Sequence, residues 1–133
     1  MTRIVLVMHA PLGNAFSQCA EHVLGRASNL TVFDVGPADR PDEKAEDLAR
    51  LITSDSSEPA LILCDIYGAT PFNIATEALR LAALQGTRGH LVTGTNLCMV
   101  LKALTERQEN PDKLTEEVRQ GALKGIIDAG RGC

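Results

Sequence analysis

Ala60-Leu61-Ile62-Leu63-Cys64 followed by Asp65-Ile66-Tyr67-Gly68-Ala69-Thr70-Pro71-Phe72-Asn73 is the stretch that decides the fold. Five unbroken apolar residues suit a strand covered on both faces, the signature of a parallel sheet. Gly68 marks a turn, and Thr70 followed by Pro71 predicts a helix start. Threonine is a good N-cap, and a proline in the first helical position lacks only a donor that would be orphaned there. A buried strand passing through a short turn into a helix is half of a βαβ unit.

The pattern recurs on both sides of this stretch. Ile4-Val5-Leu6-Val7-Met8 is another continuous apolar run, β-branched at three of its five positions. Leu12, Phe16, Cys19, Ala20, Val23 and Leu24 then fall at helical spacing, and Gly25 closes that segment. Residues 30–35 predict a second strand. Pro41-Asp42-Glu43 opens a helix with acidic residues at its positive end, and Ala45, Leu48, Ala49 and Ile52 form its inner face. The helix after Pro71 extends to about Leu84. Gly89 to Thr93 predicts a short fourth strand, and Asn96 caps a helix from Leu97 to about Arg107. Asp112 is placed as the cap of a last helix, with Leu114, Val118, Ala122 and Ile126 on one face. The order βαβαβαβα plus one helix predicts a single-domain α/β fold over residues 1–133. Its sheet is open, mostly parallel and four-stranded, of order 2-1-3-4, with helices on both faces.

Composition fits that architecture. With 44% hydrophobic and 23% charged residues in 133, the chain has the balance of one globular domain. One Tyr, three Phe and no Trp leave Leu, Ile, Val and Ala to build the core. A net charge of −4 with scattered basic residues argues against nucleic acid as a partner. No apolar run approaches the roughly 20 residues that span a bilayer, so no direct membrane insertion is expected. Met1-Thr2-Arg3-Ile4 runs straight into the first strand without a signal-like segment, and a cytoplasmic protein is expected. Cys19, Cys64, Cys98 and Cys133 lack paired CxxC spacing, so no metal site is expected. Cys19 and Cys64 read as buried, reduced, small hydrophobes.

In an open parallel sheet, function gathers beyond the C-terminal ends of the strands where strand order reverses. With order 2-1-3-4 that crevice lies between the first and third strands. His9 follows the first, and Asp65 follows the third. A histidine there is a nucleophile with a reference pKa near neutrality, and a neighbouring carboxylate would fix its tautomer. Gly68, Ala69 and Thr70 bring a helix N-terminus to the same place, where free N–H groups favour an anion. A nucleophilic ring, an orienting carboxylate and an anion cradle suit phosphoryl transfer. Singly, each residue is also explained as an ordinary cap or turn residue; their meeting at one switch point separates the readings. His22 and His90 fall away from the crevice. Neither a G-x-G-x-x-G nor a G-x-x-x-x-G-K-[ST] run follows the first strand, which argues against a nucleotide- or flavin-binding module.

Val7-Met8-His9, the segment Asp65 to Asn73, and Gly94-Thr95-Asn96-Leu97-Cys98-Met99 together resemble the enzyme IIA component of the mannose family (mannose/fructose type) of the phosphoenolpyruvate-dependent sugar phosphotransferase system. The resemblance runs over nearly the whole chain, and the Asp65–Asn73 motif is its most specific part. It implies a phosphotransferase with a phosphohistidine intermediate and no cofactor. His9 would accept phosphate from the phosphocarrier HPr and pass it to a cognate IIB domain, with Asp65 as its carboxylate partner and Thr70 near the phosphate. It also implies a homodimer, and a partner-facing surface at Pro11, Tyr67, Phe72 and Asn96. Three positions depart from the family pattern. Ala10-Pro11 follows His9 where Gly is common, Tyr67 stands where some members have Trp, and Cys98 replaces a usual Pro. Two rival readings keep the same histidine. One is the related carrier that feeds dihydroxyacetone kinase, which lacks the T-P-F-N helix opening. The other is a regulatory phosphohistidine protein that reports phosphotransferase status without sugar transport.

Overall fold

The computed structural model describes residues 1–55, 58–108 and 110–131; Cys133 lies outside them. Four strands and five helices alternate: β1 (Arg3–His9), α1 (Leu12–Leu24), β2 (Thr31–Val35), α2 (Pro41–Thr53), β3 (Ala60–Cys64), α3 (Thr70–Ala83), β4 (Gly89–Val92), α4 (Leu97–Thr105) and α5 (Pro111–Lys124). The sheet is parallel throughout, in the order β2-β1-β3-β4. The expected fold and strand order are therefore those observed.

Alternation along the two central strands explains why both needed to be apolar. Val5, Val7, Ile62 and Cys64 point to one face and pack with Ala45, Leu48, Ala49 and Ile52 of α2 and Ile74, Ala75 and Ala78 of α3. Ile4, Leu6, Met8, Leu61 and Leu63 point to the other face and meet Ala20 of α1, Met99 and Val100 of α4, and Leu114 and Val118 of α5. The chain travels outward from β1 to β2 over one face. It then reverses and reaches β3 and β4 over the opposite face, which opens a crevice between the C-terminal ends of β1 and β3.

Several local readings need correction. α3 begins at Thr70, with Ala69 in the cap position and no side-chain cap bond, so Thr70 is the first helical residue and Pro71 the second. α5 is capped by Asn110, whose side-chain oxygen accepts from the Asp112 N–H, not by Asp112 itself. On that helix Leu114 and Val118 are buried, but the helix stops at Lys124 and Ile126 lies beyond it, exposed. Cys19 is exposed, not buried, while Cys64 is fully buried. α1 buries only Gly13 and Ala20 completely. A helix lying on a sheet hides a narrow stripe, and the apolar residues of α1 spread wider than that stripe.

Candidate functional site

His9 is the last residue of β1, and Asp65 is the first residue after β3. The register that pairs Val7 with Cys64 carries both chains out of the sheet side by side. His9 Nδ1 lies 2.7 Å from Asp65 Oδ2, and the His9 backbone N–H donates to the same oxygen at 2.9 Å. Asp65 Oδ1 accepts from the Ile66 N–H at 2.9 Å. The carboxylate is thus held on both oxygens, and its side chain is 7% exposed against 49% for the imidazole. Burial works to raise the Asp65 pKa. It is outweighed by the backbone and ring hydrogen bonds from His9 and the bond from Ile66, which bring the carboxyl below its usual 3.8. An ionised carboxylate only accepts, so Nδ1 is the ring nitrogen that donates to it, and in the neutral ring Nε2 keeps its lone pair.

Neighbouring groups fix this pair. The Gly94 N–H donates to the Asp65 carbonyl at 3.2 Å. The Thr95 N–H and hydroxyl both donate to the Cys64 carbonyl, the hydroxyl at 2.6 Å. Gly94 and Thr95, visible in the sequence only as part of a motif, tie the β4–α4 turn to the end of β3. Burial, with the nearby Asp65 charge, pushes the Cys64 thiol up to about 12. That cysteine is a core group at neutral pH, not a second nucleophile.

Beside His9 opens a cleft of about 400 Å³ whose walls include Ala10, Val35, Gly36, Asp39 and Thr70. Gly68 turns the chain toward α3 with φ +81°, a left-handed conformation that suits glycine. Ala69 is extended, and Thr70 enters the helix without a side-chain cap. The N–H groups of the first turn are therefore not taken up by a cap residue. Pro11 occupies the cap position of α1 after a cis peptide from Ala10. Tyr67 is exposed, with its ring 4.8 Å from that of Phe72. Asn96 is half-buried, and its Oδ1 accepts from the Met99 N–H, the cap that its position predicts for α4. Among the described residues no three His, Cys, Asp or Glu side chains come together as metal ligands. No helix among them is long and apolar enough to cross a membrane.

These features describe an open parallel α/β protein with a carboxylate-held histidine at its switch point, next to a cleft and a helix N-terminus. Residues 3–119 match the family described as PTS system fructose IIA component, and the chain belongs to that family. Membership carries a role in sugar phosphotransfer. The chain is 26% identical over 126 residues to the mannose-specific EIIAB component of Escherichia coli (strain K12), covering 92% of this chain and 38% of that protein. It therefore spans well under half of that relative. It is also 26% identical over 99 residues to the sorbose-specific EIIA component of Lacticaseibacillus casei, covering 74% of this chain and 69% of the relative. Among solved structures, phosphotransferase system component EIIA from Streptococcus agalactiae superimposes with a TM-score of 0.86 at 22% identity. That match covers 98% of this chain and 99% of the other, a likeness of fold.

Proposed function

We propose that this protein is a cytoplasmic phosphoryl carrier that accepts phosphate from HPr on His9 and passes it to a cognate IIB domain in phosphoenolpyruvate-dependent sugar uptake. The observation that carries the reading is the 2.7 Å contact between His9 Nδ1 and Asp65, because it commits one ring nitrogen and leaves Nε2 as the nucleophile. The Nε2 lone pair attacks the phosphorus of phosphorylated HPr. A new P–N bond forms, the old one breaks, and its electron pair returns to the donor's nitrogen. The His9 ring gains cationic character as the bond forms, and the Asp65 carboxylate stabilises it. Transfer onward to IIB repeats the step with His9 as the leaving group.

The phosphoryl oxygens would lie at the start of α3, against Gly68, Ala69 and Thr70, where backbone N–H groups and the helix dipole favour negative charge. Pro11, Tyr67, Phe72 and Asn96 would flank the docked partner, and the exposed Tyr67 and Ile66 supply apolar area beside the half-exposed imidazole. A second copy of the chain would cover the apolar residues Leu123, Ile126 and Ile127, which stand exposed at and beyond the end of α5. Light scattering at micromolar concentration should return twice the chain mass, and the monomer mass throughout that range would remove the dimer.

The carrier itself is tested by incubation with phosphoenolpyruvate, enzyme I and HPr. Label should appear on the wild type as an acid-labile phosphoramidate and be absent from His9→Ala. Label that persists in His9→Ala, or that survives acid as a phosphoserine does, would overturn the reading.

A further inference from the structure

α1 starts three residues after His9, and a residue of the neighbouring strand closes its first turn. Asp34 lies in β2, in register with Met8 and one residue before Val35, the partner of His9. Its carboxylate reaches across to the first turn of α1. Oδ1 accepts from the Gly13 N–H at 2.9 Å, and Oδ2 from the Asn14 N–H at 3.0 Å. Gly13 makes the approach possible, since a Cβ there would stand 2.4 Å from Asp34 Oδ1 and 3.2 Å from Val32 Cγ1. Only Ala10 and Pro11 separate His9 from α1, and the Ala10 N–H is itself bonded to the Val35 carbonyl at 2.9 Å. The loop that leaves the histidine is therefore anchored to β2 at both ends.

We propose that Asp34 is a positioning residue for phosphoryl transfer: it pins the start of α1 to β2, so that the two-residue loop after His9, and with it the histidine, is held in place for the transfer. This rests on the reading of His9 as the phosphate acceptor. His9 follows Val5 and Val7 in the alternation that faces α2 and α3, whereas Asp34, between Phe33 and Val35, reaches α1 on the other face. Its carboxylate therefore acts on the loop that leaves the histidine. The same clamp fixes where the two-residue loop can go, and with it the backbone of His9.

The test uses single-turnover transfer from phosphorylated HPr to the full chain, with HPr varied so that the limiting rate and the half-saturating concentration separate. Asp34→Asn keeps size and one acceptor. Gly13→Ala keeps the charge but forces the carboxylate away. Each should lower the limiting rate about three- to thirtyfold, the range expected when a cap of ordinary worth is lost from a site that depends on it. Half-saturation should stay near that of wild type. The double variant should be no slower than the slower single one, because both changes act on one contact. Lowered melting temperatures with unchanged or faster limiting rates would make Asp34 a stability cap only and overturn the proposal, as would rate losses that simply multiply in the double variant. If Asp34→Asn does not fold, Gly13→Ala decides alone by the same criterion. Failure of the carrier reading is seen separately, as absence of label from wild-type His9.

Discussion

α1 and α3 start at the same end of the sheet, each following a strand that borders the crevice, yet their first turns are treated in opposite ways. In α1 the Gly13 and Asn14 N–H groups are consumed by Asp34. In α3 the cap position is Ala69, which has no side-chain acceptor to offer. Capping by Ser, Thr, Asp or Asn in place of Ala is worth about 1 kcal/mol, so α3 forgoes stability that α1 obtains from its neighbour. What α3 gains is an unfilled anion-attracting turn on the wall of a cleft that also contains His9 and Thr70. On the proposed reading, the first turn of α1 is spent on stability and that of α3 is kept for the phosphoryl oxygens.

The largest effect should come from the carboxylate that both loops share with the histidine. Asp65→Asn retains the shape of the pair but lets the ring reverse its tautomer. Stopped-flow phosphorylation should fall by roughly ten- to a thousandfold, corresponding to about 1.5–4 kcal/mol of transition-state stabilisation, while the far-ultraviolet circular dichroism stays native. A normal rate with a lowered melting point would return Asp65 to the status of a turn residue.

Making α3 resemble α1 should have the next largest effect. Ala69→Asp places a good N-cap where there is none. It should raise stability to urea by about 1 kcal/mol and slow phosphorylation about tenfold or more by filling the cradle with negative charge. A variant that is both more stable and as fast as wild type would show that the start of α3 holds no phosphoryl oxygen.

How far the sequence disclosed this arrangement follows from what kind of contact each part uses. The strands were legible because Ile4–Met8 and Ala60–Cys64 are apolar on both faces, and only a doubly covered sheet satisfies that. The meeting of His9 and Asp65 was legible because the strand order predicts which two loops come together. The cap at Asn96 was found, but Thr70 and Asp112 were each placed one or two positions out. Near both helix starts several residues could serve, and the backbone geometry decides among them. Asp34 was not legible as anything but a strand residue. Its partners are backbone N–H groups, which every residue carries, and the only trace was a glycine at position 13 with no turn to explain it. Cys19 was misread because helical spacing tells which residues share a face, not how wide a stripe the sheet will cover.

Two smaller effects concern the Asp65 carboxylate and the cysteines. Its folded pKa is depressed below the usual 3.8, so the stability it contributes is complete above that value and is lost as pH falls through the folded pKa. Melting temperatures measured from pH 6 down to pH 2 should therefore fall more steeply for wild type than for Asp65→Asn, with the difference confined to the region below about pH 4. Equal slopes would mean that the carboxylate has no preferred partner in the folded chain. In a Cys133→Ser background, the exposed Cys19 and Cys98 should react with a thiol reagent at neutral pH. Cys64, buried and pushed up to about 12, should react only on unfolding. Modification of Cys64 in the native protein would show that the floor of the site is open.

If Asp65 holds one nitrogen of His9 so that the other receives the phosphoryl group, heteronuclear NMR of the isotope-labelled imidazole will read that choice atom by atom. Before phosphorylation the ring should carry its proton on Nδ1, and after phosphorylation the phosphorus coupling should appear on Nε2 alone, with the Nδ1 proton retained. Coupling to Nδ1, or no change in the His9 ring while label appears elsewhere in the chain, would contradict the account.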